Sequence, residues 1–194
     1  MHKLLLLFFL LIISGLSVSS AQNNYLHIGV TPPRISFTSY RTSATVAYAG
    51  QDLWDTVYLI DFWASWCSPC VASIPHMDSL METFKGQRVK FISITYEPRD
   101  RVKMFLREHP INSEIGIDPD FTMFRQYNAW AIPNIVMINS RGKLAGRIHP
   151  DRLNEHVIEE LIAGKVPAVK NTPEDLFDPV KAEEYFRSLL IEKK

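Results

Sequence analysis

The run Thr56-Val-Tyr-Leu-Ile-Asp-Phe-Trp63 constrains the fold more than any other segment. Its β-branched, aromatic and aliphatic residues follow one another without the polar alternation of a half-solvated strand, so both faces must be buried. Such a strand lies in the middle of a sheet and needs a packed layer on each side. One polar residue, Asp61, interrupts it. Just beyond lies Trp66-Cys67-Ser68-Pro69-Cys70, and a helical pattern then covers residues 68–84, with Pro75 inside to kink it and Gly86 to stop it. The strand therefore delivers two cysteines to the start of a helix.

The rest of the chain builds the layers. Ile35 and Phe37, then Val46 and Tyr48, alternate with polar residues on either side of Arg41-Thr42-Ser43, which predicts a β-hairpin. Residues 89–95 read as a second buried strand, 99–108 as a helix, 115–117 as a short strand, and 121–127 as a helix capped by Asp118 or Asp120. Residues 135–138 and 143–148 form a second hairpin across Asn139-Ser-Arg-Gly142, and a helix over 152–163 ends at Gly164. This order predicts an α/β fold: a central mixed β-sheet flanked by helices, with an N-terminal β-hairpin and a C-terminal helical tail. Thr172-Pro173, Asp178-Pro179 and the stripe Ala182, Phe186 and Leu189 place a docked tail helix within 165–194.

Composition narrows the function. The 194 residues carry 21 basic and 21 acidic side chains, which argues against a nucleic-acid footprint. Met1-His-Lys3, the apolar run Leu4 to Ile13 and the small residues Ser19-Ser20-Ala21 form the three parts of a secretory signal peptide, residues 1–21, with an uncleaved membrane anchor as the alternative. An exported chain meets an oxidising compartment. Yet it carries only 2 cysteines, three positions apart, a loop too small to contribute much stability by chain entropy. The pair is expected to be chemical rather than structural. The domains are then 22–164, carrying the site, and 165–194, the extension.

Cys67 at a helix N-terminus meets unpaired backbone N–H groups and the positive end of the dipole, which favour the nucleophilic thiolate. Cys70, one turn further in, is expected to be the less exposed sulfur and to resolve a mixed disulfide formed at Cys67. Asp61, on a central strand, is expected to have a raised pKa and to take the proton from Cys70. Ile132-Pro133 opens the strand at 135. X-Pro is the one common route to a cis peptide, and a cis bond here would turn the Ile132 backbone outward to pair with a substrate strand.

Asp61-Phe-Trp-Ala-Ser-Trp-Cys-Ser-Pro-Cys70, Pro75 five residues later, and Ala131-Ile-Pro-Asn-Ile-Val-Met-Ile138 resemble the thioredoxin superfamily, over about Gly29 to Gly164. The early hairpin and the 62 residues between Cys70 and Pro133 are most similar to the TlpA/ResA-like exported thiol–disulfide oxidoreductases. The resemblance implies a thioredoxin-like fold, with Cys67 attacking, Cys70 resolving, Asp61 as the buried acid, Pro133 as the cis-proline, and Trp66 with Ile132 against the substrate. It implies protein disulfide or dithiol clients, a membrane electron-donor reductase, a monomer, and no cofactor. Cytochrome c maturation or repair of misoxidised proteins is the implied setting, in the periplasm or another exported location. One departure is that residues 91–95 hold no lysine, where thioredoxins often place one near the buried acid.

Rival readings remain open. A disulfide-forming oxidase would use the same scaffold. A peroxiredoxin-like thiol peroxidase would need a peroxide-activating pocket around one cysteine. Structural zinc wants four ligands, and His76, six residues past Cys70, is poorly placed to be one. Copper delivery with His149 and a non-catalytic binding module are the remaining alternatives. His149 and Glu97 both follow predicted strands near the site rim and are expected to be solvated loop residues.

Overall fold

The hairpin forms as its alternation predicts. In a computed structural model that describes residues 27–129 and 131–169, β1 (Ile35–Ser39) pairs antiparallel with β2 (Thr45–Tyr48). The chain continues through β3 (Val57–Phe62), α1 (Ser68–Thr83), β4 (Val89–Thr95), α2 (Arg99–Phe105), β5 (Glu114–Ile117), α3 (Thr122–Gln126), β6 (Asn134–Ile138), β7 (Leu144–Ile148) and α4 (Glu155–Ile162). The seven strands make one sheet in the order β2-β1-β5-β4-β3-β6-β7. The β3–β4 and β4–β5 pairs are parallel, and the others antiparallel. This is the mixed α/β sheet that the element order implies. The signal peptide and the tail helix fall outside the described residues.

β3 is doubly buried because its side chains serve two cores. Tyr58, Ile60 and Phe62 join Ile35, Phe37, Phe124 of α3 and its N-cap Phe121 on one face. Val57 and Leu59 point the other way, to Met77 and Leu80 of α1 and to Val157, Ile158 and Leu161 of α4. β6 repeats the division, with Val136 and Ile138 on the first face and Ile135 and Met137 on the second. The period of two along each strand thus decides which helix it meets.

Local chemistry trims the helices. α2 stops at Phe105, short of the predicted residue 108, and the chain passes through turns to Pro110. Leu106 is the C-cap of α2, and after the turns the His109 N–H returns to the Phe105 carbonyl at 3.0 Å while its ring stacks on Phe105. α4 starts at Glu155 rather than 152 because the Asn154 side chain accepts the Val157 N–H, and Pro150–Arg152 form a separate 3-10 turn. For α3 the decisive acid is Asp118. Its carboxylate accepts the N–H groups of Thr122, Met123 and Phe124 at 2.9, 2.9 and 3.2 Å, whereas Asp120 caps nothing there.

Gly116 marks the tightest point of the sheet. A Cβ there would lie 2.5 Å from Ile94 Cδ1 and 2.5 Å from Phe37 Cδ2, because β5 is pressed between side chains of its neighbours β4 and β1. Gly116→Ala should cost about 1–3 kcal/mol by overpacking. A urea midpoint equal to wild type would show that Phe37 and Ile94 give way freely.

Candidate active site

The site forms where β3 ends and α1 begins. Trp63, the residue after β3, is buried with Ala64, Cys67, Cys70, Val102 and Ile115 in a third apolar cluster. The chain then turns so that Cys67 is the N-cap of α1. Cys67 and Cys70 are joined by a disulfide, with Cα atoms 5.2 Å apart. The backbone N–H of Cys70 donates to Cys67 Sγ at 3.3 Å. Pro69, at the second helical position, has no N–H to offer. In the dithiol form, the same N–H and the helix dipole would favour a Cys67 thiolate.

In this oxidised form the two cysteines are equally buried. Each cysteine is 4 % exposed, so the expectation that Cys70 is the more buried partner does not hold here. The disulfide ties Cys67 back into the apolar cluster that holds Cys70. Trp66 is the exposed neighbour, at 55 %, and its indole Nε1 donates to the Tyr96 hydroxyl at 3.1 Å. Ile132-Pro133 is a cis peptide, and Ile132 is half-buried against the first and third clusters.

Asp61 faces the inner side of the pair. It pairs in register with Ser93 of β4 and lines a cavity of about 20 Å³ together with Cys70 and Ser73 of α1. The residue is half-buried, but Oδ1 is sealed from solvent and has no hydrogen-bond partner. Burial pushes its carboxyl up to about 7. Among the described residues no lysine lines the cavity. Ser93 stands beside the acid, and its hydroxyl hydrogen-bonds to that of Ser113 at 2.6 Å.

These positions lie within a segment, residues 36–147, that matches the AhpC/TSA family. The chain belongs to the AhpC/TSA family. Its curated relatives include the thiol-disulfide oxidoreductase ResA of Halalkalibacterium halodurans, 28 % identical over 104 residues, which span 53 % of this chain and 58 % of that one. ResA of Bacillus subtilis is 28 % identical over 86 residues, spanning 44 % and 48 %. The chain thus spans about half the length of these relatives. Among solved structures, the thioredoxin domain of a thiol-disulfide oxidoreductase from Bacteroides vulgatus aligns with a TM-score of 0.58 at 18 % identity, covering 74 % of this chain and 100 % of that one. A thioredoxin-family thiol:disulfide interchange protein from Chlorobium tepidum gives 0.57 at 20 %, covering 70 % and 98 %. The fold is thioredoxin-like.

In this AhpC/TSA-family chain Glu97 also departs from its sequence reading. Glu97 is not a solvated loop residue but 4 % exposed. Its carboxylate accepts the Ser65 N–H at 2.6 Å and the Ser65 hydroxyl at 2.7 Å, which pins the turn leading to Cys67. Arg101 Nε donates to it at 3.2 Å from an exposed position, so that ion pair adds little. Glu97→Ala would strand the Ser65 donors and should cost about 1–3 kcal/mol, read as a fall in the urea midpoint. An unchanged midpoint would mean that water replaces the carboxylate without loss.

His76 is exposed, and its Nε2 lies 2.7 Å from the Leu153 carbonyl, linking α1 to the turn before α4. His149 Nδ1 accepts the Asp151 N–H at 3.4 Å. Among the described residues no group of three or more His, Cys, Asp or Glu side chains is arranged to hold a metal, and no helix is long and apolar enough to cross a membrane.

Proposed function

We propose that the chain is a thiol–disulfide oxidoreductase that reduces protein disulfides outside the cytoplasm. The observation that carries this reading is the Cys67–Cys70 pair at the start of α1, with Asp61 in the cavity behind Cys70. The ResA relatives are thiol-disulfide oxidoreductases, which supports it, and so do the secretory features of residues 1–21.

In the dithiol form the Cys67 thiolate attacks one sulfur of a client disulfide. The client S–S bond breaks, a mixed disulfide forms at Cys67, and one client thiolate leaves. Cys70 then passes its proton to the Asp61 carboxylate. The Cys70 thiolate attacks Cys67 Sγ, forms the disulfide seen in the structure, and expels the second client thiolate. Two electrons have passed to the client. In an oxidising compartment a membrane dithiol donor must return them. Trp66 and the Ile132-Pro133 backbone flank the sulfurs as the client-facing surface. Cytochrome c maturation and repair of misoxidised proteins are the settings that fit such a reductase.

The first measurement is the reduction potential of Cys67–Cys70 against a glutathione or dithiothreitol series. A value near or below about −220 mV supports the reductant. A value above about −150 mV would make the chain a disulfide-forming oxidant. Rapid consumption of hydrogen peroxide by the dithiol would instead favour a peroxidase.

A further inference from the structure

Resting on that reading, we propose that Asp78 is the outer station of a proton path, and that it takes to solvent, through one water molecule, the proton Asp61 accepts from Cys70. Asp78 lies eight residues beyond Cys70 on α1, about 12 Å along the helix axis, and on the same side. It lines the same cavity as Asp61 and Cys70.

Three buried polar atoms that lack a hydrogen-bond partner belong to residues of this cavity wall: Asp61 Oδ1, Asp78 Oδ1 and Trp63 Nε1. Buried polar groups are normally satisfied, so three around one cavity call for a common partner. At about 20 Å³ the cavity has room for roughly one water. A water can accept from the indole N–H and donate to both carboxylates, which uses all three atoms.

The lining of the cavity defines the groups that can take part. Asp61 comes from β3, Cys70 and Asp78 from α1, Ser93 from β4 and Ser113 from the segment before β5. Among the described residues no lysine, arginine or histidine lines the cavity, so none of them holds the proton or competes for it. Asp61 and Asp78 are both half-buried, each with its Oδ1 sealed from solvent, Asp61 on the strand side of the cavity and Asp78 on the helix side. Each step balances. Cys70 thiol and Asp61 carboxylate become thiolate and carboxylic acid. Asp61 then gives its proton to the water while the water gives one to Asp78. Asp78 releases it outside, and Asp61 is ionised again for the next turnover. Asp78 is thus a positioning residue that acts through Asp61.

The test uses reduced full-length protein and 5,5′-dithiobis(2-nitrobenzoate), whose first coloured thiolate reports attack by Cys67 and whose second reports resolution by Cys70. Between pH 6 and 7, Asp78→Asn should leave the first phase unchanged and slow the second about tenfold or more. Asp78→Glu should restore it. Asp78→Asn should add no slowing in an Asp61→Asn background. A second phase at wild-type speed, equal slowing of both phases, or full additivity with Asp61→Asn would overturn the proposal. If Asp78→Asn does not fold, the wild-type protein decides in mixtures of light and heavy water. A curved dependence of the second phase on deuterium content supports transfer of more than one proton, and a straight line overturns it. A wild-type protein with no second phase would instead be the failure of the reductase reading.

Discussion

Cys67→Ser should abolish disulfide reduction, while Cys70→Ser should retain the first attack and accumulate a mixed disulfide with its client. The asymmetry follows from the start of α1. Cys67 is its N-cap and receives the Cys70 N–H at 3.3 Å, so a thiolate is stabilised at that sulfur. A serine hydroxyl at the same place cannot be deprotonated to any useful extent near neutral pH, and nucleophilic exchange stops. Cys70 lines the cavity with Asp61, so it is the sulfur whose proton has an acceptor. Insulin reduction, followed by turbidity, reads the first outcome. Non-reducing electrophoresis of Cys70→Ser with an oxidised client reads the second. Retained turnover in Cys67→Ser, or a client trapped on Cys67→Ser instead, would reverse the two roles.

Asp61→Asn has the second largest effect, and it acts in opposite directions on stability and on rate. Burial holds the Asp61 carboxyl at about 7 in the folded protein, against about 3.8 ordinarily. The folded state therefore binds a proton that the unfolded chain has lost. Stability from this source is fully present below about pH 4 and drains away as pH rises to about 7, by roughly 4 kcal/mol in all. Above that it is flat. Asn carries no charge to bury, so the variant should be more stable than wild type at pH 8, with a gap that closes towards pH 4. Asn must satisfy its own amide, so the gain is smaller than the full figure. The same substitution removes the proton acceptor and should slow resolution near neutral pH more than the first attack. Urea midpoints at pH 5 and pH 8 check the first claim. Parallel curves for the two proteins would mean that Asp61 is ionised without penalty.

The residues that carry the fold were legible because their signals are local. The unbroken apolar run at 56–63 declared a two-faced strand, and the two cores on either side of β3 are its direct consequence. The cysteine pair, the two hairpins and Gly164 at the end of α4 were equally plain. Other features depend on partners far along the chain. Glu97 reads as a loop residue until Ser65, 32 residues earlier, is folded against it. The Asp118 cap looked interchangeable with Asp120 until the chain turned at Phe121, whose φ of 56° carries the backbone back over the first acid. Asp78 looks like an ordinary polar position on an amphipathic helix. Only the opposing strands reveal that it shares a wall with Asp61.

The strand order also governs when this molecule can finish folding. β1 waits for β5, and β3 waits for β6, each about 80 residues further along. A chain made or threaded N-terminus first therefore holds its central strand unclosed on one side long after both cysteines have emerged. Sheets stitched from such distant pieces close slowly and leave thiols open to wrong partners. This chain has 2 cysteines, so within one molecule there is a single way to join them. However late the sheet closes, oxidation during assembly cannot scramble the pairing within the molecule.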